Sequence, residues 1–177
     1  MAYVRGTTGT DVVVLNDATQ YYADSGNDLV VGSQFSDSIN GADGIDLLFG
    51  RDGKDYITGG KGMDIVSGGA GNDDFIFNAG DLVHNTGLFN GYLGLVDTVL
   101  DFHGAGGYKA YLGVEDDILT FKGFGLGTHI DFVKNVGDAS NQMYHIVDPL
   151  NDKNSGYLLI HMSDGVTHLT TGDYRFI

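Results

Sequence analysis

Between Ala23 and Ile76 one apolar residue returns every nine positions: Val30, Ile39, Leu48, Ile57, Val66 and Phe75. The flanking positions are mixed or polar, as at Ser38, Asn40, Thr58 and Ser67. A period of nine matches neither an amphipathic helix, which repeats apolar residues at i, i+3 and i+4, nor a long alternating strand. It predicts a strand of about three residues per unit with its middle side chain turned inward. A tight six-residue turn precedes each strand. The units read ADSGNDLVV, GSQFSDSIN, GADGIDLLF, GRDGKDYIT, GGKGMDIVS and GGAGNDDFI. One such unit cannot bury its single apolar side chain alone, but stacked units bury a continuous thin core. Two units make one coil of turn, strand, turn and strand.

Around this block the pattern changes. Gly6–Val14, with Gly9, Asp11 and Val13, resembles an irregular first coil with a weak site at Asp11. Tyr21 and Tyr22 are placed as caps on its open end. After Phe77 the nonad stops. Strand-like runs at 95–102, 117–121, 144–148, 157–162, 166–170 and 174–177 are separated by Gly, Asn and Asp clusters. Short strands with turn signals predict a β-sandwich-like or barrel-like cap. A short helix near 128–138 is compatible with the pattern. The expected organisation is a roll over 1–80 and a β cap over 81–177.

Composition sharpens this picture. The 177 residues include 29 Gly and 1 Pro, and the acidic side chains are 23 Asp against a lone Glu, Glu115. Asp favours turns where Glu favours helices, so a helical bundle is excluded. The net charge is −15 and Lys plus Arg total 9 without a cluster, which excludes a basic nucleic-acid-binding surface. No apolar run is long enough to span a membrane as a helix. The absence of Cys removes disulfides, thiolate metal sites and thiol catalysis.

The turns hold the chemistry. Position six of every unit is Asp: Asp28, Asp37, Asp46, Asp55, Asp64 and Asp73. Position four is Gly26, Gly44, Gly53, Gly62 and Gly71, with Phe35 the exception. Turns on one edge of the roll recur every second unit. The aspartates therefore form two columns, Asp28/Asp46/Asp64 and Asp37/Asp55/Asp73, with neighbours roughly 5 Å apart. Carboxylates stacked that closely repel unless a cation lies between them. Carboxylate and carbonyl oxygens with irregular geometry suit Ca²⁺ better than Mg²⁺. The expectation is one Ca²⁺ in each of the pairs 28/46, 46/64, 37/55 and 55/73. Four such ions would bring the charge from −15 to about −7. Asp43 and Asp52, third in their units, are either further oxygen donors or ordinary surface turn residues. Ser33 and Phe35 replace Gly in the turn before Asp37, which predicts weaker sites there.

The repeat resembles the RTX family, whose calcium-binding nonapeptide GGxGxDxUx builds a right-handed parallel β-roll. The segment 50–76 carries the pattern best. VDTVLDF followed by EDDILTFKGFG, and the final LTTGDYRFI, are similar to the ends of RTX proteases, lipases and alginate epimerases. The resemblance implies export from a Gram-negative bacterium by type I secretion, without a Sec signal. Asp173, Tyr174, Phe176 and Ile177 would then belong to an uncleaved C-terminal signal, interrupted by Arg175. It also implies two roles: a Ca²⁺-triggered folding and secretion module, or a Ca²⁺-dependent polysaccharide-binding module. An independent enzyme has no support. The histidines His84, His103, His129, His145, His161 and His168 show no HExxH spacing, although His161 and His168 could meet in space, and no GxSxG elbow occurs. The Asp152–Gly156 segment lacks the Gly and Glu of an EF-hand and reads as a hairpin loop. Asp97, Asp101, Asp116 and Asp117 are weighed as an extra site and read as turn residues.

Asp46 and Asp55 each serve two expected ions. Asp46→Ala and Asp55→Ala should therefore lower Ca²⁺ affinity and Ca²⁺-dependent folding more than changes at the ends of the columns. Calorimetric Ca²⁺ titration of each variant checks this, and parental binding by both would contradict the two columns.

Overall fold

A computed structural model describes residues 1–82, 96–103, 117–163 and 168–177. Two sheets face each other across a shared core. The first contains β1 (Ala2–Arg5), β3 (Thr19–Tyr22), β5 (Ser38–Gly44), β7 (Tyr56–Gly62), β9 (Asp74–Asn78), β11 (Ile118–Lys122) and β15 (Tyr174–Phe176), all parallel, in that order. The second runs from β2 (Val12–Val14) through β4 (Leu29–Val31), β6 (Leu47–Asp52), β8 (Ile65–Ala70) and β10 (Asp97–Phe102) to β14 (Gly156–Met162). It ends in the antiparallel strands β13 (Asp138–Val147) and β12 (His129–Val136). The chain is all-β and its repeats form a parallel roll, as the nine-residue period predicts.

Successive coils pair eighteen residues apart, as in Ile39 with Ile57 and Leu48 with Val66. This register stacks the apolar eighth positions into two inner rows. Tyr21, Ile39, Ile57, Phe75, Leu119 and Tyr174 succeed one another in the first sheet. Val13, Val30, Leu48, Val66, Val99 and Ile160 do so in the second. The six repeat residues are at most 4% exposed. Burying each contributes roughly 1.5–3 kcal/mol, which a lone unit could not supply.

Several strands exceed the expected three residues because the turns pair as well. In β5 and β7, Ala42 meets Gly60 and Gly44 meets Gly62. At position four of the glycine-bearing turns only a residue tolerating positive φ fits. Gly62 has φ +137°, and a Cβ there would strike the Gly44 carbonyl of the coil below.

The segment after the repeat lies on the same two sheets. Strand β10 stacks on β8 and β11 on β9, both parallel, although intervening residues of different length have replaced the nonad. The strand-like runs become β10, β11, part of β13, β14 and β15. Of the run 166–170, residues 166 and 167 lie outside the described part and 168–170 form no strand. The helix near 128–138 is not formed. His129–Val136 is β12, paired with β13, because Val136-Gly137-Asp138 turns the chain back and offers the ladder a partner. Gly137 takes φ +83° there. Tyr21 does not cap the end. It is 2% exposed in the inner row, since β1 pairs outside β3 and covers it. Asp152–Asn154 is a single 3-10 turn in the loop between β13 and β14.

Ile57 lies mid-row between Ile39 and Phe75. Ile57→Ala should cost about 2–5 kcal/mol through lost burial and a cavity. Urea unfolding in saturating Ca²⁺ measures the change.

Candidate metal centre

Each sixth-position aspartate ends its turn immediately before a strand, and its side chain folds back into the turn. All six are at most 2% exposed. The Oδ1 atoms accept main-chain N–H groups from the coil below, building two ladders. In one, Asp11 N–H donates to Asp28 at 2.7 Å, Asp28 to Asp46 at 2.8 Å, and Asp46 to Asp64 at 2.9 Å. In the other, Thr19 N–H donates to Asp37 and Asp37 to Asp55, both at 2.7 Å, and Asp55 to Asp73 at 2.8 Å. The aspartate carbonyls are engaged too. Asp46 O accepts from Ile65 N–H and Asp55 O from Asp74 N–H, each at 2.8 Å. The two columns expected from the repeat are therefore present as stacked carboxylates.

The second carboxylate oxygen differs from site to site. Oδ2 of Asp28, Asp46, Asp55 and Asp64 is buried without a hydrogen-bond partner. Each of the last three sits against the first glycine of its own unit. A Cβ on Gly41, Gly50 or Gly59 would collide with it. Glycine at position one thus leaves a cradle that holds an unsatisfied carboxylate oxygen. Asp37 is different: its Oδ2 accepts the Ser33 N–H at 2.7 Å. The turn that departs from the glycine pattern satisfies its own aspartate, a local reason for weaker ion binding there. Asp11 is likewise held by Thr7, through N–H at 2.6 Å and Oγ1 at 3.1 Å.

Burial is the main cause of raised proton affinity in these carboxylates. It pushes Asp46 up to about 6, and Asp55 and Asp64 to about 7. The donated N–H groups oppose the rise and neighbouring aspartates add to it. At neutral pH the bare columns resist full ionisation, and a cation between them favours it.

The donor set fits a hard cation. It consists of oxygens, with no thiolate in the chain. Among the described residues no three His, Cys, Asp or Glu side chains converge on one point. An ion between two stacked turns would therefore complete its shell with main-chain carbonyls, as Ca²⁺ readily does. Gly26, Gly44, Gly53, Gly62 and Gly71 all have φ between +115° and +155°, as these turns require. Asp43 and Asp52 are exposed, and the charge of Asp52 acts on Asp55. Asp43 lies 3.7 Å from Lys61.

Sequence reasoning weighed two members, Asp97 and Asp117, as a separate site and read them as turn residues. Asp97 and Asp117 extend the columns: Asp64 N–H donates to Asp97 Oδ1 at 3.0 Å, and Asp73 N–H to Asp117 Oδ1 at 2.9 Å. Burial lifts both to about 8. The eighteen-residue spacing is broken to 33 and 44 residues, which hid them. The signal was the triplet Asp-x-apolar, present in Asp97-Thr98-Val99 and Asp117-Ile118-Leu119 as in every repeat unit. Asp101 instead binds Ser67 Oγ and the N–H groups of Gly68 and Gly69. Asp116 and His84 lie outside the described residues.

At the C-terminus Asp173 is fully buried, and Tyr174, Arg175 and Phe176 form β15 beside β11. Arg175 bridges Asp74 at 2.5 Å and Thr120 Oγ1 at 2.9 Å. His161 contacts Asn141 at 2.9 Å, whereas the His168 ring packs on Phe132.

Residues 22–57 and 40–75 match the family model of the RTX calcium-binding nonapeptide repeat (4 copies). That segment is an RTX calcium-binding repeat. The fold is similar to the solution structure of the AlgE6R3 subunit from the Azotobacter vinelandii mannuronan C5-epimerase. The TM-score is 0.60 at 20% identity, covering 96% of this chain and 80% of that one. No curated protein sequence matches the chain.

The raised values fix a pH dependence. A carboxylate whose folded pKa exceeds its unfolded value of about 4 binds a proton on folding, so its contribution is complete below pH 4. That contribution is lost as pH rises through about 6 to 8, the range for Asp46, Asp55, Asp64, Asp97 and Asp117. In metal-free buffer the β signal in far-UV circular dichroism should therefore be greater at pH 5 than at pH 8. Ca²⁺ affinity should run the opposite way and weaken on acidification.

Proposed function

We propose that this chain, with RTX calcium-binding repeats at 22–75, is a module that folds when its aspartate columns take up Ca²⁺ outside the cell. The observation that carries the reading is the row of buried, unpartnered Oδ2 atoms on Asp28, Asp46, Asp55 and Asp64. Where Ca²⁺ is scarce, each coil added to the roll would bury another uncompensated carboxylate. The extended chain then keeps its aspartates in water. Where Ca²⁺ reaches roughly 10⁻⁴–10⁻³ M, the range that extracellular modules use, binding free energy becomes folding free energy. About four ions in the pairs 28/46, 46/64, 37/55 and 55/73 is our count for the repeat. The Asp37 pair is the weakest because Ser33 already satisfies that carboxylate.

Such a switch suits passage through a type I secretion channel as an unfolded chain, followed by folding on the far side. RTX repeat proteins are typically extracellular, and no helix among the described residues is long and apolar enough to cross a membrane. We assign the C-terminal Asp173, Tyr174, Phe176 and Ile177 to the secretion signal. In the folded chain Asp173 is buried and Tyr174–Phe176 are a strand, so the segment would be read before folding. A second reading is Ca²⁺-dependent polysaccharide binding, supported by the fold's likeness to a subunit of an epimerase. Glycan-array binding with and without Ca²⁺ separates the two.

Titrating Ca²⁺ into metal-free protein while following far-UV circular dichroism tests the folding switch. A cooperative gain of β signal at sub-millimolar to millimolar Ca²⁺, absent with Mg²⁺, is expected. A chain already fully folded without Ca²⁺ would sink the reading.

A further inference from the structure

The outward side chains of the roll are sorted by sheet. On the second sheet they form two rows, Val12, Leu29, Leu47 and Ile65, then Val14, Val31, Phe49 and Ser67. On the first sheet the equivalent rows read Gln20, Ser38, Tyr56 and Asp74, then Tyr22, Asn40, Thr58 and Ile76. One face is therefore apolar and free of charge, and the other is dominated by hydroxyl, amide and carboxylate groups. Val12 is 72% exposed, Val14 55% and Leu47 40%, and the other apolar members are half-buried. The fifth residue of a unit joins this outer side, since Lys54 Nζ lies 5.6 Å over the Tyr56 ring. On the apolar face that position holds Ile45, which is 47% exposed.

The apolar row continues toward the C-terminal end, where it is not bare. Ile65 pairs with Thr98, Thr98 with Leu159 and Leu159 with Met143. Leu159 and Met143 are buried there in a cluster with Val96. The same outer face is thus covered beyond the repeat and open over it.

We propose that the bare outer face of β2, β4, β6 and β8 is a self-association surface, covered face to face by a second copy of this chain. Flat apolar sheets pack against one another about 10 Å apart with their strands roughly aligned. A two-fold contact sets this face on itself, so every exposed side chain counts twice. Its outward residues leave roughly 600 Å² accessible per copy, somewhat below the ~800 Å² that each partner of a stable interface buries. That area suits a reversible dimer rather than a permanent one. No charged side chain stands in the two rows, so pairing buries no uncompensated ion. The turns that rim the face carry both signs. Asp43 lies 3.7 Å from Lys61 where the chain enters these strands, and exposed Arg51 and Asp52 stand where it leaves them. Two copies can therefore meet without opposing blocks of like charge at the rims. The net charge of −15 works against the pair, and added salt screens that repulsion.

Sedimentation equilibrium of the full-length chain in Ca²⁺, from micromolar to millimolar protein, tests this. The parent should pass reversibly from monomer to dimer, and the dimer should strengthen as NaCl is raised. Leu47→Lys and Val12→Lys should remain monomeric. Tyr56→Lys, at the equivalent position on the polar sheet, should dimerise as the parent does. A parent that stays monomeric leaves the face to an unlike partner and overturns the proposal. So does a dimer that survives Leu47→Lys, one lost in Tyr56→Lys, or growth beyond the dimer into open stacks. If the lysine variants do not fold in Ca²⁺, single cysteines decide, since the chain has no other thiol. A bis-maleimide should join Leu47→Cys chains into pairs and leave Tyr56→Cys chains single, and the reverse refutes the surface.

Discussion

The structure depends on stacked aspartates that share one hydrogen-bond ladder. Each carboxylate in a column accepts a main-chain N–H from the coil below, that of an aspartate everywhere but at Asp37, so the coils are joined through carboxyl groups buried at their edges. Those hydrogen bonds fix the register that aligns the apolar eighth positions. The same register brings like charges to adjacent strands. Core packing and charge repulsion are thus consequences of one geometry, and neither can be relieved without the other. A hard cation between the turns would let both stand.

The two columns are not equivalent. One runs Asp28, Asp46 and Asp64 to Asp97 with an Oδ2 left open at every step. The other begins with Asp37, already satisfied by Ser33, and ends with Asp117, satisfied by His103. Small departures from the repeat therefore change how much positive charge each edge demands. Where glycine is replaced, as at Ser33, the main chain takes over part of the metal's role.

The post-repeat segment inherits the roll rather than sitting beside it. Val99 and Ile160 extend one inner row, and Leu119 and Tyr174 the other. Phe121 stacks between Phe77 and Phe176 at 5.5 and 5.1 Å, so aromatic bulk replaces the thin aliphatic core toward this end. The Arg175 bridge to Asp74 and Thr120 fastens the last strand. Sheet two finishes with an antiparallel hairpin that pairs the free side of β14, which protects an edge otherwise open to further strands.

The nonapeptide period by itself determined the parallel roll, the inward eighth residue and the two aspartate columns. Each follows from short-range chemistry repeated in register: glycine where φ must be positive, an apolar residue where the strand faces inward, and a carboxylate where the turn closes. The tertiary structure alone decided the rest. It recruited Asp97 and Asp117 across 33 and 44 residues, gave Tyr21 to the core, and made His129–Val136 a strand. It also left Asp43 and Asp52 exposed. Spacing carries information only while the period holds. Once the intervening segments vary in length, the partner of a residue is set by which sheet edge is free to accept it.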